Sequence, residues 1–75
     1  MKYKLGMTHL KILQERMLHA TKNHPEGPSF EALTDEIIEV RKAMDKKNKK
    51  EIIYELYDVA TVSMRLIMDF EDKNN

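Results

Sequence analysis

The stretch "EIIYELYDVATVSMRLIMDF", residues 51–70, constrains the chain most. Its composition suits one long helix with apolar side chains around most of its circumference. At about 100° per residue, Ile52, Leu56, Val59, Leu66 and Phe70 fall on one side. Val62 extends this zone one way. Ile53, Ala60, Ile67, Met64, Tyr57 and Met68 extend it the other way. The polar arc that remains is narrow and holds Asp58, Thr61, Arg65 and Asp69. Such a helix needs cover on more than one side, as the central helix of a bundle does. Yet Glu55 projects between Val62 and Leu66, inside the apolar zone, with Asp58 at its edge. A carboxylate placed there without a partner takes up a proton or costs several kcal/mol. No Lys or Arg stands three or four residues from Glu55, so its partner must come from another helix or from solution.

The remainder of the sequence supplies two more helices. Both prolines and one of the two glycines fall in "NHPEGPS", residues 23–29, the clearest break in the chain. Before it, Leu10, Leu13 and Met17 mark a helix from about Met7 to Thr21. After it, Ser29 is a good N-cap for a helix reaching about Lys46. Phe30, Leu33, Ile37, Val40 and Met44 form its stripe, and Ala32 and Ala43 lie to one side. A weaker break, "DKKNKKE" at 45–51, leads to Asn48, which can cap the third helix while Glu51 returns the bond. That helix is expected to run to about Phe70 and fray beyond it. No strand-like alternation and no repeat occurs. The expected fold is all-α: one domain over residues 1–75, an antiparallel bundle of about three helices, completed by oligomerisation.

The need for partner chains follows from size. A 75-residue chain has a marginal core, and without cysteine no disulfide can staple it. A dimer or a tetramer is the natural remedy. Thirteen basic residues balance thirteen acidic ones, which gives no pull toward nucleic acid or anionic membranes. No apolar run is long enough for a membrane span or a signal peptide, so a cytoplasmic address is expected.

Helix 2 carries a matching acid pair. Glu36 and Glu39 flank its stripe on the side of the two alanines, where a neighbour can approach closely. An antiparallel neighbour would bring them opposite Glu55 and Asp58. Four converging carboxylates repel one another unless a cation fills the space, and all-oxygen ligation favours Mg²⁺, Mn²⁺ or Ca²⁺. Spacing alone is weak support. Chance supplies about two acid pairs at i,i+3 in so acidic a chain, and Asp69/Asp72 is a third such pair. The information lies in Glu55 interrupting an apolar surface. A cross-helix salt-bridge network is the alternative reading of the same residues.

These residues resemble the MazG-type all-α nucleoside triphosphate pyrophosphohydrolases. The motif reads "EIIE" at 36–39, fifteen residues, then "ELYD" at 55–58, within "SFEALTDEIIEVRKAM" and "EIIYELYDVATVSMRLI". The resemblance covers about residues 28–67. It implies that Glu36, Glu39, Glu55 and Asp58 bind Mg²⁺, with Mn²⁺ as a substitute, and that this holds the triphosphate of a (deoxy)nucleotide. Water then attacks the α-phosphorus, giving monophosphate and pyrophosphate, in the service of nucleotide-pool house-cleaning. It also implies a dimer or tetramer. One of the four acids, or Asp35, would orient or deprotonate the water. Arg65, on the polar arc of helix 3, and Lys22, at the end of helix 1, are candidate phosphate contacts. As ordinary surface residues, Arg65 would be solvated or salt-bridged and Lys22 would complement a helix end. Tyr54, Tyr57 and Phe30 are the aromatics that could stack on a base, or simply pack. The alternative function is a non-catalytic helical oligomer that binds a protein or a nucleotide.

Overall fold

A computed structural model of the chain describes residues 6–73. Among these, three α-helices and no strand are found: α1 (Met7–Asn23), α2 (Phe30–Lys46) and α3 (Lys49–Lys73). Each boundary has a local cause. His9 accepts a hydrogen bond at Nδ1 from the Gly6 backbone N–H, 3.1 Å, at the start of α1. Ser29 Oγ accepts from the Ala32 N–H at 3.1 Å, and Asn48 Oδ1 from the Glu51 N–H at 3.2 Å, as N-caps do. Glu51 does not return the bond; its carboxylate lies 3.9 Å from Lys46 instead. Lys47 takes the left-handed conformation (φ 57°) that closes α2. The α2–α3 connection is therefore only Lys47–Asn48, and most of the charged run expected as a break is helical. α1 and α3 extend two and three residues beyond the expected Thr21 and Phe70.

Helix directions alternate. The two-residue turn sets α2 against α3 antiparallel. Arg16 meets Tyr54 and Asp58, and His24 meets Arg65 further along both helices, so α1 advances in the same sense as α3. α2 packs extensively on α3. α1 rests on α3 alone and makes no close backbone approach to α2.

The faces turned inward differ from the expected ones. On α2 the inward residues are Ala32, Leu33, Glu36, Val40 and the buried Ala43. Three of the five residues of the anticipated stripe, Phe30, Ile37 and Met44, are exposed. On α3 the polar arc turns in. Thr61 is buried, its hydroxyl donating to the Tyr57 carbonyl at 2.8 Å. Asp58 and Arg65 are half-buried. Each of these polar groups has a partner, and among the described residues no buried side-chain polar atom lacks one. The apolar arc Ile53, Leu56, Met64 and Ile67 faces out.

Helical geometry puts both exposed sets on one side of the α2–α3 hairpin, opposite the side on which α1 lies. The chain exposes 6524 Å², where a compact chain of this length exposes about 4,800 Å². No helix among the described residues is long and apolar enough to cross a membrane.

Ala43, 3% exposed, marks the closest part of the α2–α3 seam. Ala43→Leu should overpack it and lower stability by about 1–3 kcal/mol, read as a reduced urea midpoint with unchanged helix content.

Candidate functional site

Close packing at the seam brings acids from two helices together. The sequence puts Glu36 beside Ala32 and Ala43 on the face of α2 that meets α3. Glu55 and Asp58 lie one turn apart on the opposing face. Ligand oxygens of Glu36, Glu55 and Asp58 all lie within 4.8 Å of one another, and all three residues are half-buried. A hard cation holding oxygens at about 2.0–2.6 Å sets opposite ligands about 4–5 Å apart. The donor set is all carboxylate, and both its spread and its chemistry fit such an ion.

Glu39, the fourth expected ligand, stands apart from this cluster. It is exposed, with Oε1 3.4 Å from Lys42 Nζ one turn along α2. Its charge is nonetheless felt, since it helps raise the pKa of both Glu36 and Glu55. Asp35 is exposed beside Glu36.

The electrostatics are those of a site short of positive charge. Desolvation, then the charges of Asp58, Glu55, Glu39 and Asp35, push Glu36 above the usual carboxylate range. Desolvation, then Asp58, Glu39 and Glu51, do the same to Glu55, opposed only by Arg16. Among the described residues no Lys or Arg comes within ion-pair distance of Glu36 or Glu55. Asp58 has one such partner: Arg16 Nη1 donates to Asp58 Oδ1 at 2.5 Å. The guanidinium also lies over the Tyr54 ring, 4.1 Å from its centroid, and 5.6 Å from that of Tyr57.

Because α1 makes no close backbone approach to α2, a cleft of about 800 Å³ opens between them. Glu36 and Asp58 line it, with Arg16, His19, Tyr54 and Arg65. Arg65 donates from Nη2 to the His24 carbonyl at 2.9 Å, tying α3 to the Pro/Gly loop. Lys22 is exposed and does not line the cleft. Of the candidate aromatics, Tyr54 lines it and Phe30 does not.

Arg16 is the site residue that sequence reasoning missed. The available signal was a cation directly before Met17 in the α1 stripe. No family model, characterised protein or solved structure matches this chain.

The raised pKa values make a signed prediction. A carboxylate whose folded pKa exceeds its unfolded value favours the folded state when protonated. Its contribution becomes unfavourable as pH rises from about 4.5, the unfolded value, through the raised folded one. Glu55→Gln removes that burden. In chelator-treated protein it should melt above wild type at neutral pH, and the gain should vanish at about pH 4. A wild type that melts higher throughout the neutral range would contradict this.

Proposed function

We propose that the chain is a metal-dependent nucleoside triphosphate pyrophosphohydrolase. Its substrates would be canonical or modified (deoxy)nucleoside triphosphates, its products the monophosphate and pyrophosphate, and its role house-cleaning of the nucleotide pool. The observation that carries this reading is the convergence of Glu36, Glu55 and Asp58 from two helices, with oxygens within 4.8 Å of one another. The motif "EIIE…ELYD" and its resemblance to the MazG-type enzymes supply the reaction. The cleft beside the acids has the volume of a small-ligand site, and its two arginines are suited to phosphate oxygens.

In this reading Glu36, Glu55 and Asp58 hold Mg²⁺ or Mn²⁺, with Glu39 one turn away as the fourth ligand. When bound, the ion neutralises charge on the phosphate oxygens and lowers the pKa of water. The acids fix the site on rigid helices, which limits reorganisation during reaction. Water oxygen forms the new bond to the α-phosphorus. The bond from that phosphorus to the α–β bridging oxygen breaks, and pyrophosphate leaves. The water proton passes to one of these carboxylates or to the neighbouring Asp35. Arg65, held by the His24 carbonyl, is placed to contact the phosphate chain. Lys22, outside the cleft, is left with the role of complementing the C-terminal end of α1.

The alternative, a non-catalytic helical oligomer whose acids pair with bases, draws support from one observation, the Arg16–Asp58 ion pair. It leaves Glu36 and Glu55 unexplained. The enzyme reading accounts for all three.

The exposed side of the α2–α3 hairpin completes the proposal. Ile37, Met44, Ile53, Leu56, Met64 and Ile67 together make an apolar face too large to leave in water. A second copy of the chain covers it, making a homo-oligomer, a dimer or a pair of dimers, with α2 and α3 of each copy at the centre. The acid clefts then lie on the outer sides, beneath α1.

Three outcomes test these statements. Mg²⁺ or Mn²⁺ at a hundred times its Kd should stabilise the fold by about 2.7 kcal/mol, roughly ten degrees in Tm for so small a domain. With Mg²⁺, a panel of nucleotides should yield pyrophosphate, and Glu36→Gln, Glu55→Gln or Asp58→Asn should each reduce kcat by roughly a hundredfold. Release of inorganic phosphate, or a melting curve indifferent to metal, would count against the enzyme. Leu56→Glu with Ile67→Glu should yield monomers in sedimentation. A wild type already monomeric at tens of micromolar would exclude the proposed interface.

A further inference from the structure

Arg16 occupies a position that an ordinary surface ion pair does not. It comes from α1, 42 residues from Asp58 in sequence, and reaches the acid cluster across the cleft that separates α1 from α2. Its side chain and that of Asp58 are 22% and 29% exposed. Among the described residues it is the one cation paired with any of the three converging acids. Its hydrogen bond takes an oxygen of Asp58, the residue that also offers an oxygen to the cluster. An ion ligated by Asp58 would take this oxygen or the other one of the same carboxylate, and in either position its charge and that of the guanidinium repel at short range. The guanidinium therefore stands where an incoming cation must be felt.

Resting on the metal-dependent reading above, we infer that Arg16 is a two-position residue, a built-in counter-ion that a divalent cation displaces and that then binds the triphosphate. Three features support the second position. Arg16 lines the same cleft as Arg65, so release from Asp58 leaves it facing the space a phosphate chain would fill. Its stacking on Tyr54 gives the planar group a pivot while one hydrogen bond is exchanged for another. α1 is held by α3 alone, so the helix carrying it can adjust without disturbing the α2–α3 seam. After the exchange each positive group again faces negative charge. The ion replaces the arginine at the acids, and the arginine meets the negative charge that the nucleotide brings. Order of binding follows: the ion is needed to free the group that receives the phosphates. Arg16 is thereby a substrate-contacting residue and a brake on metal binding in the absence of nucleotide.

The two roles have opposite signs in one variant. Mn²⁺ binding to the nucleotide-free protein is measured by electron paramagnetic resonance of the free ion. Binding of a deoxynucleoside triphosphate with a methylene bridge between its α and β phosphorus atoms is measured by calorimetry at saturating Mg²⁺. Arg16→Gln should bind Mn²⁺ about threefold or more tightly than wild type, and the nucleotide analogue about tenfold more weakly. Arg16→Lys, which keeps the charge but loses the planar fork, should sit near wild type for Mn²⁺ and near Arg16→Gln for the analogue. In wild type, Mn²⁺-free titration with Mg²⁺ should change tyrosine fluorescence, since the chain has no tryptophan to mask it. That change should be absent from Arg16→Gln. Wild type binding Mn²⁺ while Arg16→Gln binds it equally or more weakly would overturn the exchange and leave the metal site intact. Failure of wild type itself to bind Mn²⁺ would overturn both the metal-dependent reading and the exchange built on it.

Discussion

Ala43 and the small face of α2 around it set how closely α2 and α3 approach. The inward residues of α2 are two alanines, a leucine, a valine and a glutamate. Small side chains at a helix contact shorten the interaxial distance, and the two-residue turn at Lys47–Asn48 fixes the register. Short distance and fixed register together put Glu36 against Glu55 and Asp58. A bulkier face would have parted these acids into separate solvated groups. The site is therefore a by-product of packing in one sense: the residue type that lets the helices touch also determines that the carboxylates cannot avoid one another.

That closeness has an electrostatic cost which the chain leaves largely uncompensated. Glu36 and Glu55 are pushed toward their protonated forms by burial and by each other's neighbourhood. Small domains have little stability to spare, so a repulsive cluster at the main helix contact is a surprising choice for a purely structural bundle. The apolar surface that would offset it faces away from α1. Burial against a second copy, as proposed above, would restore stability on one side of the hairpin and leave the other side free. The two sides of α3 thus divide the work, with Leu56 and Ile67 on one and Asp58 and Arg65 on the other.

Much of this organisation was legible in the sequence. Ser29, Asn48 and the Pro/Gly loop mark helix starts and breaks through local hydrogen bonding and backbone geometry, which neighbouring residues alone determine. The pairing of α2 acids with α3 acids was legible because Ala32 and Ala43 mark the face that a neighbour can approach. The rotation of the helices was not. Phe30, Ile37 and Met44 satisfy the pattern of a core stripe, yet they share their helix with a second, smaller-residue inward face. Periodicity cannot rank two apolar faces on one helix. On α3 the sequence pointed Asp58 toward α2 but left open which way the rest of the polar arc faces. The arc turns inward because Thr61, Asp58 and Arg65 each find a partner there. Arg16 was illegible for a related reason: its partner lies 42 residues away, and nothing in the α1 spacing says which helix it will meet.

A salt-bridge network and a cation site make different demands on the same acids. A network built for stability places a base against each carboxylate, since leaving one buried and unpaired is the costly arrangement. Here one acid of three has a base, and that base comes from the least anchored helix. Arg16 also has a second attachment, Tyr54, that does not depend on the acid. A group so held can leave Asp58 without leaving the site. The distribution of partners, one base for three converging carboxylates, suits a site for a diffusible ion better than it suits a finished ion-pair network.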